Sequence, residues 1–216
     1  MPSRPLHRRQ ILQSGALATL GTLFTAPFVT SGVLSTKTLD VDALLFDPEA
    51  PVGGNPKGDV TIVAFFDYNC GYCRKAAPAL AKLVADDGNV RLVYKDWPIL
   101  SESSVVAAQV ALATNYQGRY ERAHETLMSS ALRGGTDRIP GLLAKTDIDR
   151  KRLSADLKTH GQAIGDLLKR NHEQAEALQL PGTPVYLVGP YKVAAALDYD
   201  GFASVVNDAR TRAREK

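Results

Sequence analysis

A chain of 216 residues, 44% hydrophobic and 23% charged, has the size and composition of one medium domain with a full core, which excludes a largely disordered protein. Its formal net charge of +3 is confined to the start, because residues 1–31 contain Arg4, Arg8 and Arg9 and no acid. The remainder carries equal numbers of basic and acidic side chains, so no basic footprint for nucleic acid exists.

The chain opens as a targeting segment. A basic stretch ends at Arg8-Arg9, and a mild apolar segment follows from Ile11 through Leu17, Leu20, Leu23 and Phe24. It is short and diluted by Ser14, Gly15, Thr19, Gly21 and Thr22, which makes it a poor permanent membrane span. Residues 1–31 are therefore expected to be an export signal, and contact with a membrane is expected only through that signal if it stays uncleaved. His7-Arg8-Arg9-Gln10-Ile11-Leu12 resembles a twin-arginine signal, with Ile11 where that family usually has Phe. Residues 32–58 read as a tether. Leu39 to Phe46 can form a short helix, and Pro48, Pro51, Gly53, Gly54, Pro56 and Gly58 then interrupt regular structure.

The domain proper is expected to begin near Asp59. Val60 to Phe66 is a continuous apolar run with β-branched and aromatic residues, as in a strand buried on both faces. Residues 70–86 read as a helix, with Ala76, Ala77, Leu80, Leu83 and Val84 at spacings of three and four. Pro78 cannot donate to the carbonyl of Arg74, so a bend is expected there. Asp87-Gly88-Asn89 is a turn, and Val90 to Tyr94 a second strand. Residues 101–178 keep a helical period through Val105, Val106, Val110, Leu127, Leu132, Leu153, Ile164 and Leu167, broken at Gly134-Gly135 and Pro140-Gly141. They read as a helical subdomain inserted into an α/β domain whose other parts are residues 59–100 and 179–216. Strand signals return at Val185 to Val188 and Tyr191 to Ala194, with Gly189-Pro190 as the turn. Asp200 to Arg214 reads as the closing helix.

Cys70 and Cys73, the only two cysteines, share the tetrapeptide Cys70-Gly71-Tyr72-Cys73 at the strand-to-helix junction. A thiolate, not a thiol, attacks a disulfide, so the motif must favour ionisation of one sulfur and leave it accessible. The start of a helix does this, since its unsatisfied backbone N–H groups favour negative charge. Cys70 is the expected nucleophile. Cys73, about one turn along, is the expected resolving thiol. Two other uses of the pair stand beside this one. Structural zinc wants four ligands, and His124, His160 and His172 have no ligand-like spacing, so no metal is expected. An inert disulfide closing so short a loop constrains the unfolded chain little. Gly182-Thr183-Pro184, directly before a strand, is the second element of interest.

Phe65-Phe66-Asp67-Tyr68-Asn69-Cys70-Gly71-Tyr72-Cys73, Lys95-Asp96-Trp97-Pro98-Ile99-Leu100 and Gly182-Thr183-Pro184 together resemble the DsbA-like branch of the thioredoxin superfamily. The resemblance covers roughly residues 50–212. It implies a thioredoxin-like α/β fold with an inserted helical subdomain, and a thiol–disulfide oxidoreductase of the cell envelope that needs no cofactor. Its partners are client proteins with thiols or disulfides and an unidentified redox partner. It also implies that Pro184 is cis beside the cysteines, that Thr183 offers its backbone to an extended substrate segment, and that Pro78 kinks the active-site helix. Relatives often place an acid six residues before the first cysteine, where this chain has Ala64. Lys95 is a candidate for tuning the site electrostatically, with a solvated strand-end lysine as the alternative. Tyr72 is a candidate substrate contact, or simply an exposed loop residue. Gly71-Tyr72 replaces the Pro-His pair of strongly oxidising relatives, which predicts a milder oxidant.

The localisation implied is the periplasm or the extracytoplasmic side of the envelope. Two other functions remain open from sequence. One is a disulfide isomerase or reductase of the same superfamily. The other is a holdase chaperone or binding module, for which loss of both cysteines would leave activity intact.

Overall fold

The computed structural model describes residues 39–132 and 135–215. The expected export signal, residues 1–31, lies outside them, as do residues 32–38 of the tether and Gly134. Chain order is α1 (Val41–Phe46), β1 (Val52–Gly54), β2 (Val60–Phe66), α2 (Gly71–Asp87) and β3 (Val90–Asp96). Then come α3 (Glu102–Asn115), α4 (Tyr120–Met128), α5 (Arg138–Leu143), α6 (Arg150–Ala177), β4 (Val185–Val188), β5 (Tyr191–Val193) and α7 (Tyr199–Arg214).

The strands form one sheet in the order β1-β3-β2-β4-β5. β2 and β3 run parallel in the register Val60↔Val90 to Phe66↔Asp96, and the other pairs are antiparallel. β2 is central and apolar because both its faces are covered; every residue but Thr61 is buried. Each Val, Ile and Phe side chain among them contributes roughly 1.5–3 kcal/mol by leaving water. Alternation along β3 assigns the two faces. Leu92 and Tyr94 line a cleft against α2 and α4, and Tyr186, paired with Ala64, packs edge-on against Phe202 of α7. The opposite face carries Arg91, Lys95 and Trp97. There Arg91 donates to the Leu45 carbonyl, and Trp97 Nε1–H donates to His172 Nδ1 of α6. The four helices α3 to α6 are the insertion expected between the sheet's two halves, and α6 is its longest at 28 residues.

The boundary at Asp59 moves. Residues 41–58 are not a free tether: β1 pairs with β3, and the side chain of Asp47 is held by Arg170 of α6 at 3.0 Å. The run of glycines and prolines reads as a breaker, but a three-residue edge strand has no period to detect. Gly53 is there for close approach, since a Cβ would sit 3.0 Å from the Tyr94 ring. At the far end of the sheet from the cysteines, Arg210 of α7 bridges Asp59 at 2.8 Å and Asp87 at 2.7 Å. Its guanidinium holds both carboxyl groups below their ordinary range.

Lys95 is a finding of the fold. It is fully buried on the α1 and α6 face, and its Nζ has no hydrogen-bond partner. Burial pulls its ammonium down to about 8, against the attraction of Asp47 and with the repulsion of Arg170 and Arg91. A solvated strand-end lysine is therefore ruled out. The sign of its linkage is the reverse of an exposed ion pair. Between about pH 8 and 10.5 the unfolded chain holds this proton and the folded chain does not, so stability rises with pH there. Lys95→Met is expected to raise stability at pH 7 by about 1–2 kcal/mol, with the gain shrinking as pH rises through that window. Chemical unfolding at pH 7 and pH 10 checks this.

Candidate active site

The site is built at the end of β2. The strand stops at Phe66, four residues turn, and Cys70 caps α2 in extended conformation, φ −71° and ψ 114°. The turn closes through the Cys70 N–H donating to the Asp67 carbonyl at 3.0 Å, and the helix begins with Arg74 N–H on the Cys70 carbonyl at 3.1 Å. Cys70 Sγ occupies the place of a capping oxygen: it accepts the Cys73 N–H at 3.3 Å. The same thiol donates to the Thr183 carbonyl at 3.2 Å. Gly182, with φ +149°, directs the chain into that position, and the Thr183–Pro184 bond is cis. Cys70, Cys73 and Thr183 thus meet at one point, with Pro184 next in the chain, although 113 residues separate Cys70 from Thr183.

Cys70 was expected to be exposed, but it retains only 5% of its surface. The Thr183 backbone lies against it. Tyr72 is the accessible part of the motif, 70% exposed on the first turn of α2. Cys73 is 2% exposed; burial pushes its thiol well above the ordinary range, and the hydrogen bond to Cys70 pushes the same way. The two sulfurs therefore have different environments, one at a helix terminus and one in the core. Tyr186 lies beside them: burial raises its phenol, and the charges of Cys73 and Cys70 add to the effect.

Lys95 is not brought to the sulfurs; Asp47, Arg170 and Arg91 are the charges that bear on it. A buried carboxyl does exist on the cysteine face, at Asp96 rather than at position 64. It is 1% exposed and accepts Tyr120 O–H at 2.6 Å. Burial raises it to about 7, while the Tyr120 and Tyr68 hydroxyls hold it down. His124 completes this cluster with Nδ1 3.3 Å from the Tyr68 hydroxyl, and burial keeps the imidazole neutral by lowering it to about 3. In the sequence Asp96 stands only as a member of the Lys95 to Leu100 motif, just past the strand signal that ends at Tyr94; β3 runs on to Asp96, and that extension carries the carboxyl into the core. A cleft of about 620 Å³ runs between α2 and α4, lined by Arg74, Pro78, Tyr94, His124 and Met128 among others, and neither cysteine lines it. Among the described residues no cluster of His, Cys, Asp or Glu could hold a metal ion.

A dithiol at the start of the helix that follows the central strand, with a cis-proline after Thr183 and a sheet in this order, defines a thioredoxin-like protein. Residues 47–208 match the family model described as thioredoxin, and the chain belongs to that family. A thioredoxin-like oxidoreductase from Silicibacter pomeroyi DSS-3 is 38% identical, with a TM-score of 0.73 over 80% of this chain and 98% of that one. The thiol-disulfide exchange protein alpha-DsbA2 from Wolbachia pipientis is 25% identical, with a TM-score of 0.73 over 77% of this chain and 90% of that one. By sequence, the chain is also similar to the Na(+)/H(+) antiporter NhaA 1 of Salinispora arenicola, 25% identical over 76% of this chain. It spans about a quarter of the length of the curated relatives it matches. No helix among the described residues is long and apolar enough to cross a membrane.

Proposed function

We propose that this protein exchanges disulfides with client proteins on the extracytoplasmic side of the cell envelope, through Cys70 and Cys73. The observation that carries the reading is the placement of Cys70 Sγ, which accepts the Cys73 N–H and faces the Thr183 carbonyl. A client backbone that pairs with Thr183 would lay its own sulfur beside Cys70. In the oxidising direction a client thiolate attacks Sγ of Cys70 in the Cys70–Cys73 bridge, and the electron pair of the broken S–S bond leaves on Cys73, which takes up a proton. A second client thiolate then attacks the client sulfur of the mixed disulfide and releases Cys70. The client loses two electrons and the pair gains two. In the reducing direction the Cys70 thiolate attacks a client disulfide, and Cys73 attacks Cys70 to release the reduced client. No organic cofactor or metal enters the balance; a second redox protein must reset the pair. The basic, then apolar, opening of the sequence supports export, and the name of the Wolbachia relative supports exchange chemistry.

The protein in its oxidised form is expected to remove thiols from a reduced, unfolded multi-cysteine client in stoichiometric amount. Equilibration with glutathione is expected to place the pair between about −210 and −150 mV, milder than the strongest oxidants near about −120 mV. No thiol loss would overturn the oxidoreductase reading. A potential near the upper value would overturn the milder-oxidant reading drawn from Gly71-Tyr72. The isomerase alternative rests on the same dipeptide and on Thr183 before the proline. Recovery of activity from a scrambled client, faster than from a reduced one, favours it.

A further inference from the structure

The four-residue turn that delivers Cys70 is tied down by one side chain. Asp67 is 1% exposed and every face of its carboxylate is occupied. Oδ1 accepts the Asn69 N–H at 2.7 Å and the Ser104 O–H at 2.7 Å. Oδ2 accepts the Ile99 N–H at 2.8 Å and the Leu100 N–H at 2.9 Å. The carbonyl of the same residue accepts the Cys70 N–H. Asn69 adds a second layer: its amide lies within 3.0 Å of the hydroxyls of Ser101, Ser103 and Ser104 at the start of α3. The nucleophile's turn is thus bolted to the segment where the sheet passes into the helical insertion.

We propose that Asp67 is a positioning residue for Cys70, holding the sulfur in register with the Cys73 N–H and the Thr183 carbonyl; this rests on the exchange reading above. The Asp67 backbone N–H reaches the buried Cys73 thiol, while its carboxylate, spent on the four donors above, acts on Cys70 through the turn. A carboxylate suits the place because four donors converge on two oxygens. The isosteric amide of Asn would set its own NH₂ against N–H groups, leaving donors unsatisfied and forcing the turn to move. Charge and position predict opposite results. Removing a negative charge three residues from Cys70 favours its thiolate and shifts the pH profile of its reactivity downward. Losing the turn takes Sγ away from the helix N–H groups and shifts that profile upward.

The test is alkylation of Cys70 by iodoacetamide across pH, in the full chain carrying Cys73→Ala so that one sulfur reports. Asp67→Asn is expected to slow alkylation at pH 7 by about tenfold and to move the profile's midpoint up. Ser104→Ala, which removes one of the four donors, is expected to slow it by about threefold. Arg210→Gln, which loosens α7 at the far end of the sheet, lowers stability and leaves the profile in place. Tyr186, the phenol beside the sulfurs, and Arg74, whose guanidinium donates to the Tyr68 carbonyl in the same turn, are unchanged in all three. A profile for folded Asp67→Asn that superimposes on the parent or moves down overturns the proposal. So does an equal shift in Arg210→Gln. Should Asp67→Asn fail to fold, Ser104→Ala decides: an unshifted profile overturns the proposal and an upward shift supports it. Alkylation needs no client, so a failure of client oxidation alone tells against the exchange reading and not against this role of Asp67.

Discussion

Cys70→Ser is expected to reduce disulfide transfer to a reduced client by about a thousandfold or more, to the background rate, while leaving the fold intact. The loss is large because nothing replaces the sulfur. The chain has two cysteines, and the other is buried, with its thiol pushed high by that burial alone once Cys70 is gone. Left alone, Cys73 has neither the ionised fraction nor the access to attack a client. The fold survives because the substituted position is a helix cap, where a serine oxygen accepts the Cys73 N–H as the sulfur does. Thiol titration of the client together with the unfolding midpoint checks both halves. A holdase or binding module predicts the opposite, with activity preserved after this substitution.

Cys73→Ala has a different signature. The first attack, through Cys70, is retained. The second is lost, because the sulfur that resolves the mixed disulfide is missing. Turnover is expected to fall by about a hundredfold or more, and client adducts on Cys70 are expected to accumulate and persist until an external thiol is added. Stability changes little in either direction: alanine removes a poorly solvated thiol and leaves a space of one sulfur against Ala76 and its neighbours, a cost of about 1 kcal/mol. Non-reducing electrophoresis of an oxidised client mixed with the reduced variant reads the adduct directly. Rapid release of the client from Cys73→Ala would show that resolution comes from elsewhere, most simply from a second client thiol.

Much of this architecture was legible in the residues. The apolar, β-branched and aromatic run from Val60 to Phe66 read as a strand with both faces covered, and it is the centre of the sheet. The three- and four-residue spacing of Ala76, Leu80, Leu83 and Val84 marked the buried side of α2. The Cys70–Cys73 pair and Thr183–Pro184 were legible as motifs, and the fold brings them together across the sheet. What escaped was mostly non-local. β1 is three residues long, and its signal is a partner strand, not a period. Lys95 read equally well as a solvated strand end, because sequence does not say which face of β3 meets α6. Asp67 stands inside the recognised motif, yet its role depends on donors from residues 99 to 104, more than thirty positions away. The export signal belongs to residues outside those described, and stays a reading of the sequence.

In the proposed exchange it is Cys70 that forms the bond to the client. Peptide mapping of the adduct trapped by the Cys73→Ala protein measures that directly. The expected product is a client cysteine disulfide-linked to the peptide containing Cys70, formed at neutral pH and released by added thiol. Folded Cys73→Ala protein that yields no adduct with an oxidised client would contradict it.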